Sequence, residues 1–272
     1  MSGKLYVVGT PIGNLGDFSP RAVETLESVD FIAAEDTRVT LKLLNHFGIK
    51  KEMVSYFEHN KNERGDVIIS RLAKGETCAI CTDAGMPVIS DPGEDLVKLC
   101  HENNIDVESV PGPTAFATAL AISGMNTRKF TFEGFLSANK KERREELEEL
   151  ANEKRTMVFY EAPHKLTQTL KDMYEVFGER DIALVKEITK VHENVARTDL
   201  KTASTMFDEE KPKGEFVVIV DGKKIEEKEI SFDKAVDEAK RLMADGMSTN
   251  AAAKEVAKIT SFKKNDIYKA LL

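Results

Sequence analysis

Two carboxylates, a hydroxyl and a guanidinium stand together at Glu35-Asp36-Thr37-Arg38, directly after the apolar run Phe31–Ala34. Such groups can take a proton, hold a cation or steady a developing charge, although a surface ion pair uses the same residue types. A second set lies in Asp83-Ala84-Gly85-Met86-Pro87-Val88-Ile89-Ser90-Asp91-Pro92-Gly93. Its paired Gly, Pro and Asp residues fix an irregular backbone whose polar groups stay available to a ligand, where a plain connection would be shorter. A third, Tyr160-Glu161-Ala162-Pro163-His164, joins a carboxylate to an imidazole. The stretch Gly9-Thr10-Pro11-Ile12-Gly13-Asn14-Leu15-Gly16 is rich in Gly but fits neither the dinucleotide fingerprint nor the P-loop.

Other chemistries find little support. The five histidines, His46, His59, His101, His164 and His192, have no metal-ligand spacing, so no metal site is expected. There is no G-x-S-x-G elbow. Cys78 and Cys81 form a C-x-x-C, but inside the apolar run Thr77–Thr82, which predicts a buried strand with the two thiols on opposite faces. With Cys100 they make three cysteines, an odd number without a disulfide framework. No apolar run approaches the roughly 20 residues of a membrane span, and the first residues lack a signal-peptide layout; a cytoplasmic protein is expected.

These residues need elements to position them. Strands are predicted at Leu5–Val8, Phe31–Ala34, Thr77–Thr82 and Ile105–Val110. Helices are predicted from Ser19-Pro20 onward, over Glu94–Glu102 and over Thr114–Ile122. Strand and helix alternate, so the sheet should be largely parallel, and each strand end delivers one of the polar loops to the edge where ligands bind in open α/β sheets. Near residues 123–129 the pattern changes. Strands at Phe130–Phe135, Met157–Glu161, Ile182–Ile188 and Phe216–Val220, with helices at Lys140–Asn152 and Pro163–Phe177, predict a second α/β domain. From Ser231 three short helices follow, Asp233–Ala244, Thr249–Lys258 and Lys264–Leu271, as in a helix-turn-helix module. The expected division is thus 1–122, 123–230 and 231–272.

The 272 residues carry 39 Lys+Arg against 47 Asp+Glu, a net charge of −8, which excludes a protein that coats nucleic acid by bulk positive charge. Local sums differ. Residues 1–116 carry −7, residues 117–230 carry −3 and residues 231–272 carry +2, so an anionic partner should be met by the later parts. Lys140, Lys141, Arg143 and Arg144 open a helix where positive charge opposes the helix dipole; RNA phosphate would relieve that mismatch, although a solvated helix needs no function.

Read in order, GTPIGNLGDFS at 9–19, AEDTR at 34–38, DAGMPVISDPG at 83–93, VPGPTA at 110–115, FYEAPHK at 159–165, KEITK at 186–190 and KGEFVVIV at 213–220 resemble the small-subunit ribosomal RNA methyltransferases of the tetrapyrrole methylase (class III S-adenosylmethionine-dependent) superfamily. The resemblance implies two α/β domains of the tetrapyrrole methylase type with the methyl donor in the cleft between them, a homodimer, and 2′-O-methylation of the ribose of cytidine 1402 in 16S rRNA of the small ribosomal subunit. It places S-adenosylmethionine against Ile12, Asp83, Gly85, Val88, Ile89, Thr114, Ala115, Tyr160, Glu215 and Phe216. Glu35, Asp36, Arg38, Glu161, Glu187 and Lys190 are then candidates to act on the 2′-oxygen, as base, as cation or by positioning alone. A small tetrapyrrole substrate on the same fold, and a non-catalytic RNA-binding protein, are the competing readings.

Overall fold

The computed structural model describes residues 3–209, 211–224 and 231–272. The chain divides into two compact units, 1–222 and 223–272. The boundary expected at residue 230 lies outside the described residues.

In chain order the first part comprises β1 (Lys4–Val8), α1 (Pro20–Ser28), β2 (Phe31–Ala34), α2 (Thr37–His46), β3 (Glu52–Ser55), α3 (Lys61–Ala73), β4 (Thr77–Cys81), α4 (Glu94–Glu102), β5 (Asp106–Val110) and α5 (Ala115–Ile122). The strands form one parallel sheet in the order β3-β2-β4-β1-β5. Its central strands are apolar on both faces because helices cover both. Cys78 packs in one core with Leu5, Phe31 and Ile80, and Cys81 in the other with Val8, Ile32 and Leu44, so the two thiols do point to opposite faces.

The second part comprises β6 (Phe130–Phe135), α6 (Lys140–Glu149), β7 (Thr156–Glu161), α7 (Pro163–Phe177), β8 (Asp181–Lys186), β9 (Asn194–Asp199), α8 (Leu200–Thr205) and β10 (Phe216–Val220). Its sheet, β6-β7-β10-β8-β9, is mixed: β6 runs parallel to β7 and the other pairs are antiparallel. The strand expected to run to Ile188 stops at Lys186, since Glu187 (φ 51°) and Thr189 (φ 65°) take left-handed conformations that end the ladder. Although α5 follows β5 of the first sheet, its Ala119 and Leu120 are buried against Val158, Ala183 and Val217 of the second. Its other side keeps Ala117, Ala121 and Ile122 exposed.

The 223–272 unit holds α9 (Phe232–Ala244), α10 (Thr249–Lys258) and α11 (Lys264–Ala270). Ser231 and Ser248 cap α9 and α10, accepting from Lys234 N and Ala251 N. Ala235, Ala239, Ala252, Ala253, Val256 and Ile267 form its core, where small side chains let the helices approach closely. Among the described residues no helix is long and apolar enough to cross a membrane.

Candidate active site

Parallel strands β1, β2, β4 and β5 end at one edge, and the loops that follow are clamped there. Gly9 and Gly112 meet backbone to backbone: a Cβ on Gly9 would lie 2.6 Å from Gly112 Cα, and one on Gly112 2.8 Å from Gly9 Cα. Glycine is required on both sides of that contact. Thr10 N donates to Gly85 O (2.9 Å), Gly85 N returns a bond to Thr10 O (3.1 Å), and Thr10 Oγ1 donates to Thr82 O (3.1 Å). The loop after β4 is thereby tied to the loop after β1. Within it Val88 (φ 77°) and Ser90 (φ 62°) hold left-handed conformations, a strain that persists only where surrounding contacts over-determine it.

The second sheet closes the space opposite. A bulge between Phe132 and Gly134 in β6 shifts the register, and Phe135 beyond it turns 55% exposed toward the ring of Tyr160, centroids 5.4 Å apart. Between these walls lies a cavity of about 440 Å³, within the range of small-molecule sites. Nine of the residues expected to hold the donor line it: Ile12, Asp83, Gly85, Ile89, Thr114, Ala115, Tyr160, Glu215 and Phe216. Val88 does not. Its side chain packs on the first-sheet core around Ile80 and Leu96, which corrects the expectation for that position.

Of the six residues expected to act on the acceptor, Glu35 and Glu161 reach the cavity. Asp36 instead caps α2, accepting from Arg38 N (2.8 Å), and pairs with the Arg38 guanidinium at 2.6 and 3.0 Å. That pair pulls the Asp36 carboxyl down to about 2, and the Arg38 side chain is 87% exposed. Glu187 and Lys190 also lie outside the lining. Lys190 Nζ donates to Glu187 Oε1 (3.1 Å) and Glu215 Oε2 (2.8 Å), while Glu187 Oε1 accepts from Glu215 N (2.9 Å). The Glu215 amide, and then Lys190, hold the Glu187 carboxyl below its ordinary value. This network braces the turn seated on Gly13, where a Cβ would fall 2.7 Å from Lys190 Cγ. The two side chains shape the cleft without facing it.

Asp91 and Phe135 also line the cavity, although neither is among the residues expected to hold the donor or act on the acceptor; Asp91 belongs to the loop Asp83–Gly93, whereas Phe135 shows only as the end of a strand. Glu35, Asp83, Asp91, Glu161 and Glu215 are acidic lining residues, and among the described residues no Lys, Arg or His lines the cavity. Glu35 Oε2 accepts from Thr82 Oγ1 (2.6 Å) and from Asp83 N (3.4 Å). Burial pushes the Asp91 carboxyl up to about 6, and the Glu35 charge adds to it against a bond from Thr82. Burial, and then Glu35, raise Asp83 as well. Glu161 is committed: it accepts from Thr169 Oγ1 (2.6 Å) and Ala162 N (2.8 Å). Tyr160 Oη accepts from Phe116 N (3.0 Å) at the start of α5, and burial raises the phenol.

The four cations at the start of α6 do not form one free patch. Arg143 is buried with Leu147 on the inward face of the helix and donates to Asp172 at 2.6 and 2.8 Å, with 5% and 3% of the two side chains exposed. Spacing of four along a helix puts both residues on one face, so this position is a strut rather than an RNA contact. Arg144 pairs with Glu175 (3.0 Å) and Glu148 (3.4 Å), and Lys141 with Glu145 (3.8 Å). Lys140 has no ion pair among the described residues.

Residues 4–204 match the family profile described as Tetrapyrrole (Corrin/Porphyrin) Methylases, and residues 231–272 match one described as RsmI C-terminal HTH domain. A Synechocystis sp. protein named Ribosomal RNA small subunit methyltransferase I is 46% identical over 272 residues, covering 99% of this chain and 98% of its own length. A Thermotoga maritima protein of the same name is 47% identical over 221 residues, 81% of this chain and 99% of its own. Among solved structures, uroporphyrin-III C-methyltransferase from Thermus thermophilus complexed with S-adenosyl homocysteine shares the fold at 15% identity, with a TM-score of 0.58 over 80% of this chain and 97% of that one.

Proposed function

The chain belongs to the tetrapyrrole methylase family and, within it, to the group named ribosomal RNA small subunit methyltransferase I, and from that membership we propose that it moves a methyl group from S-adenosylmethionine to the ribose 2′-oxygen of cytidine 1402 in 16S rRNA. The observation that carries the donor assignment is the charge of the cavity. It has apolar walls at Ile12, Ile89, Ile188 and Phe216, with five carboxylates and, among the described residues, no cation in its lining. Such a site disfavours a phosphate-bearing ligand and favours one that carries positive charge on a partly apolar body.

S-adenosylmethionine, when bound, supplies an electrophilic methyl on a positively charged sulfur. Ile12, Ile89, Thr114 and Ala115 would enclose its apolar parts, and Glu35, Asp83 and Asp91 would balance its charge. Holding the 2′-oxygen in line with the methyl accounts for much of the expected acceleration. As the oxygen–carbon bond forms and the carbon–sulfur bond breaks, the hydroxyl proton has to leave. We assign its reception to the Glu35–Asp91 pair: Glu35 has one oxygen outside its bonds to Thr82 and Asp83, and Asp91 titrates near neutrality, where a base works best. Asp36, Arg38, Glu187 and Lys190 are read as positioning residues. The same family membership supports a homodimer in the cytoplasm and the division of the chain at residues 122 and 230.

The test is to incubate purified protein and labelled donor with small subunits from a strain lacking the enzyme. Label recovered as 2′-O-methylcytidine is the expected result. Label in a base, or none in the RNA while a tetrapyrrole accepts it, would overturn the reading.

A further inference from the structure

A second cavity, of about 300 Å³, opens on the other side of Phe216. Its rim carries Lys186, Lys211 and Lys213, its apolar surface comes from Met206, Phe207 and Phe216 among others, and no acidic residue lines it among the described residues. None of the three lysines has an ion pair among the described residues. In a protein with a net charge of −8, that is a local concentration of lysines outside ion pairs, although the Lys186 charge is felt by the Glu187 carboxylate. Of the α6 cations, by contrast, Lys141, Arg143 and Arg144 are paired with acids, and Lys140 alone has no ion pair among the described residues.

Register ties this groove to the active-site cleft. Glu161, Phe216, Lys186 and Asn194 are direct cross-strand partners on β7, β10, β8 and β9. Glu161 lines the cleft, Phe216 lines both cavities, and Lys186 and Asn194 line the groove. At ~4.8 Å per strand, Lys186 sits roughly 10 Å from Glu161, which is the reach of a nucleotide next to one held in the cleft.

We propose that this groove binds the RNA strand beside the target nucleotide, with Lys186, Lys211 and Lys213 on its phosphodiesters and Phe207 and Met206 against a sugar or base. Lysines supply point charges to phosphate oxygens, and an aromatic face accepts any base, so the groove would add affinity and register rather than sequence readout. The inference rests on the RNA substrate reading above.

The experiment compares wild-type protein with a triple variant, Lys186→Gln, Lys211→Gln and Lys213→Gln, and with a control, Lys141→Gln plus Arg144→Gln. Small subunits lacking the modification and a cytidine-containing single-stranded RNA serve as probes, titrated over a range of salt, and donor affinity is measured by calorimetry. The triple variant should bind both RNAs about tenfold or more weakly, with the slope of log affinity against log salt flattened by about 2, while its donor affinity and the control variant stay at wild-type values. Unchanged RNA affinity and slope in the triple variant, or an equal loss of donor affinity, would overturn the groove. Failure of the wild-type protein itself to bind or methylate subunits would instead overturn the substrate reading and the groove with it.

Discussion

The cleft and the lysine groove share Phe216 as a wall and carry opposite charge: among the described residues, five carboxylates and no cation line the first, three lysines and no acid the second. Neither follows from net charge or from the segment sums: the cleft draws on residues from Ile12 to Val217, and the groove lies between Leu184 and Phe216 in a segment that is acidic in sum. What sorts them is one row across the second sheet, where strand pairing sets Glu161, Phe216 and Lys186 side by side. A sheet fixes charge at strand-by-strand resolution, and two ligands of opposite sign can therefore be served within a short distance. The α6 cluster teaches the converse, since three of its four cations, Lys141, Arg143 and Arg144, look free in sequence and are spent on Asp172, Glu175, Glu148 and Glu145.

The largest expected effect tests that converse. Arg143→Ala leaves the Asp172 carboxylate buried without its charged partner, with Gln168 Nε2 its remaining side-chain donor, and should cost about 3–5 kcal/mol of stability, read by denaturant unfolding. RNA affinity per folded molecule should not change; a specific loss of RNA binding would restore α6 as a third charged surface. Next, Glu35→Gln should lower the rate of methyl transfer roughly 100-fold or more in single-turnover assays while RNA affinity holds, since the charge removed lies on the cleft side of Phe216. A proportional loss of RNA affinity would erase the division between the two cavities.

A smaller effect concerns pH. A bound cation favours ionised Asp91, so donor affinity should climb as pH rises through about 6 and then level off, and donor binding near pH 6 should release protons, seen as a buffer-dependent binding enthalpy. Asp91→Asn should flatten the profile. The smallest effect is on stability. Because the folded Asp91 carboxyl titrates above its unfolded value, its contribution is fully present below the unfolded pKa and is lost as pH rises through about 6. Melting temperatures should then show Asp91→Asn gaining on wild type between pH 4 and pH 8; a constant difference would remove the raised carboxyl from the cleft.

Much of the frame was legible because its strands and helices declare themselves by period. Phe31–Ala34, Glu94–Glu102, Phe130–Phe135 and Pro163–Phe177 fall where apolar spacing and caps put them. Among the elements not anticipated, edge strand β3 is four residues long and exposed or half-buried, α3 carries Gly65 within it and has no side-chain cap, and β9 lies at a sheet edge without a buried residue. Helices α2 and α8 go unanticipated as well, although Asp36 and Asp199 cap them. At the site, the ordered motifs located the cleft, because a ligand cradle of backbone groups needs Gly and Pro in fixed places. They could not separate Glu35 from Asp36, adjacent residues of like charge that point to different tasks once α2 takes Asp36 as its cap. Nor could they show that Arg143 faces inward, since the acid that takes it up lies 29 residues away on another helix.

The crossing of α5 from one sheet to the other bears on turnover. The chain leaves the first sheet at Val110 and reaches the second through Pro111-Gly112-Pro113, with two prolines of fixed φ and a glycine pressed on Gly9. A hinge built of those residues has little freedom to swing, and the helix beyond it is anchored in the opposite core. The cleft is therefore stapled rather than jawed. Nucleoside ligands should exchange through its mouth without a slow opening step, leaving release of the bulky RNA product to set the pace of the cycle.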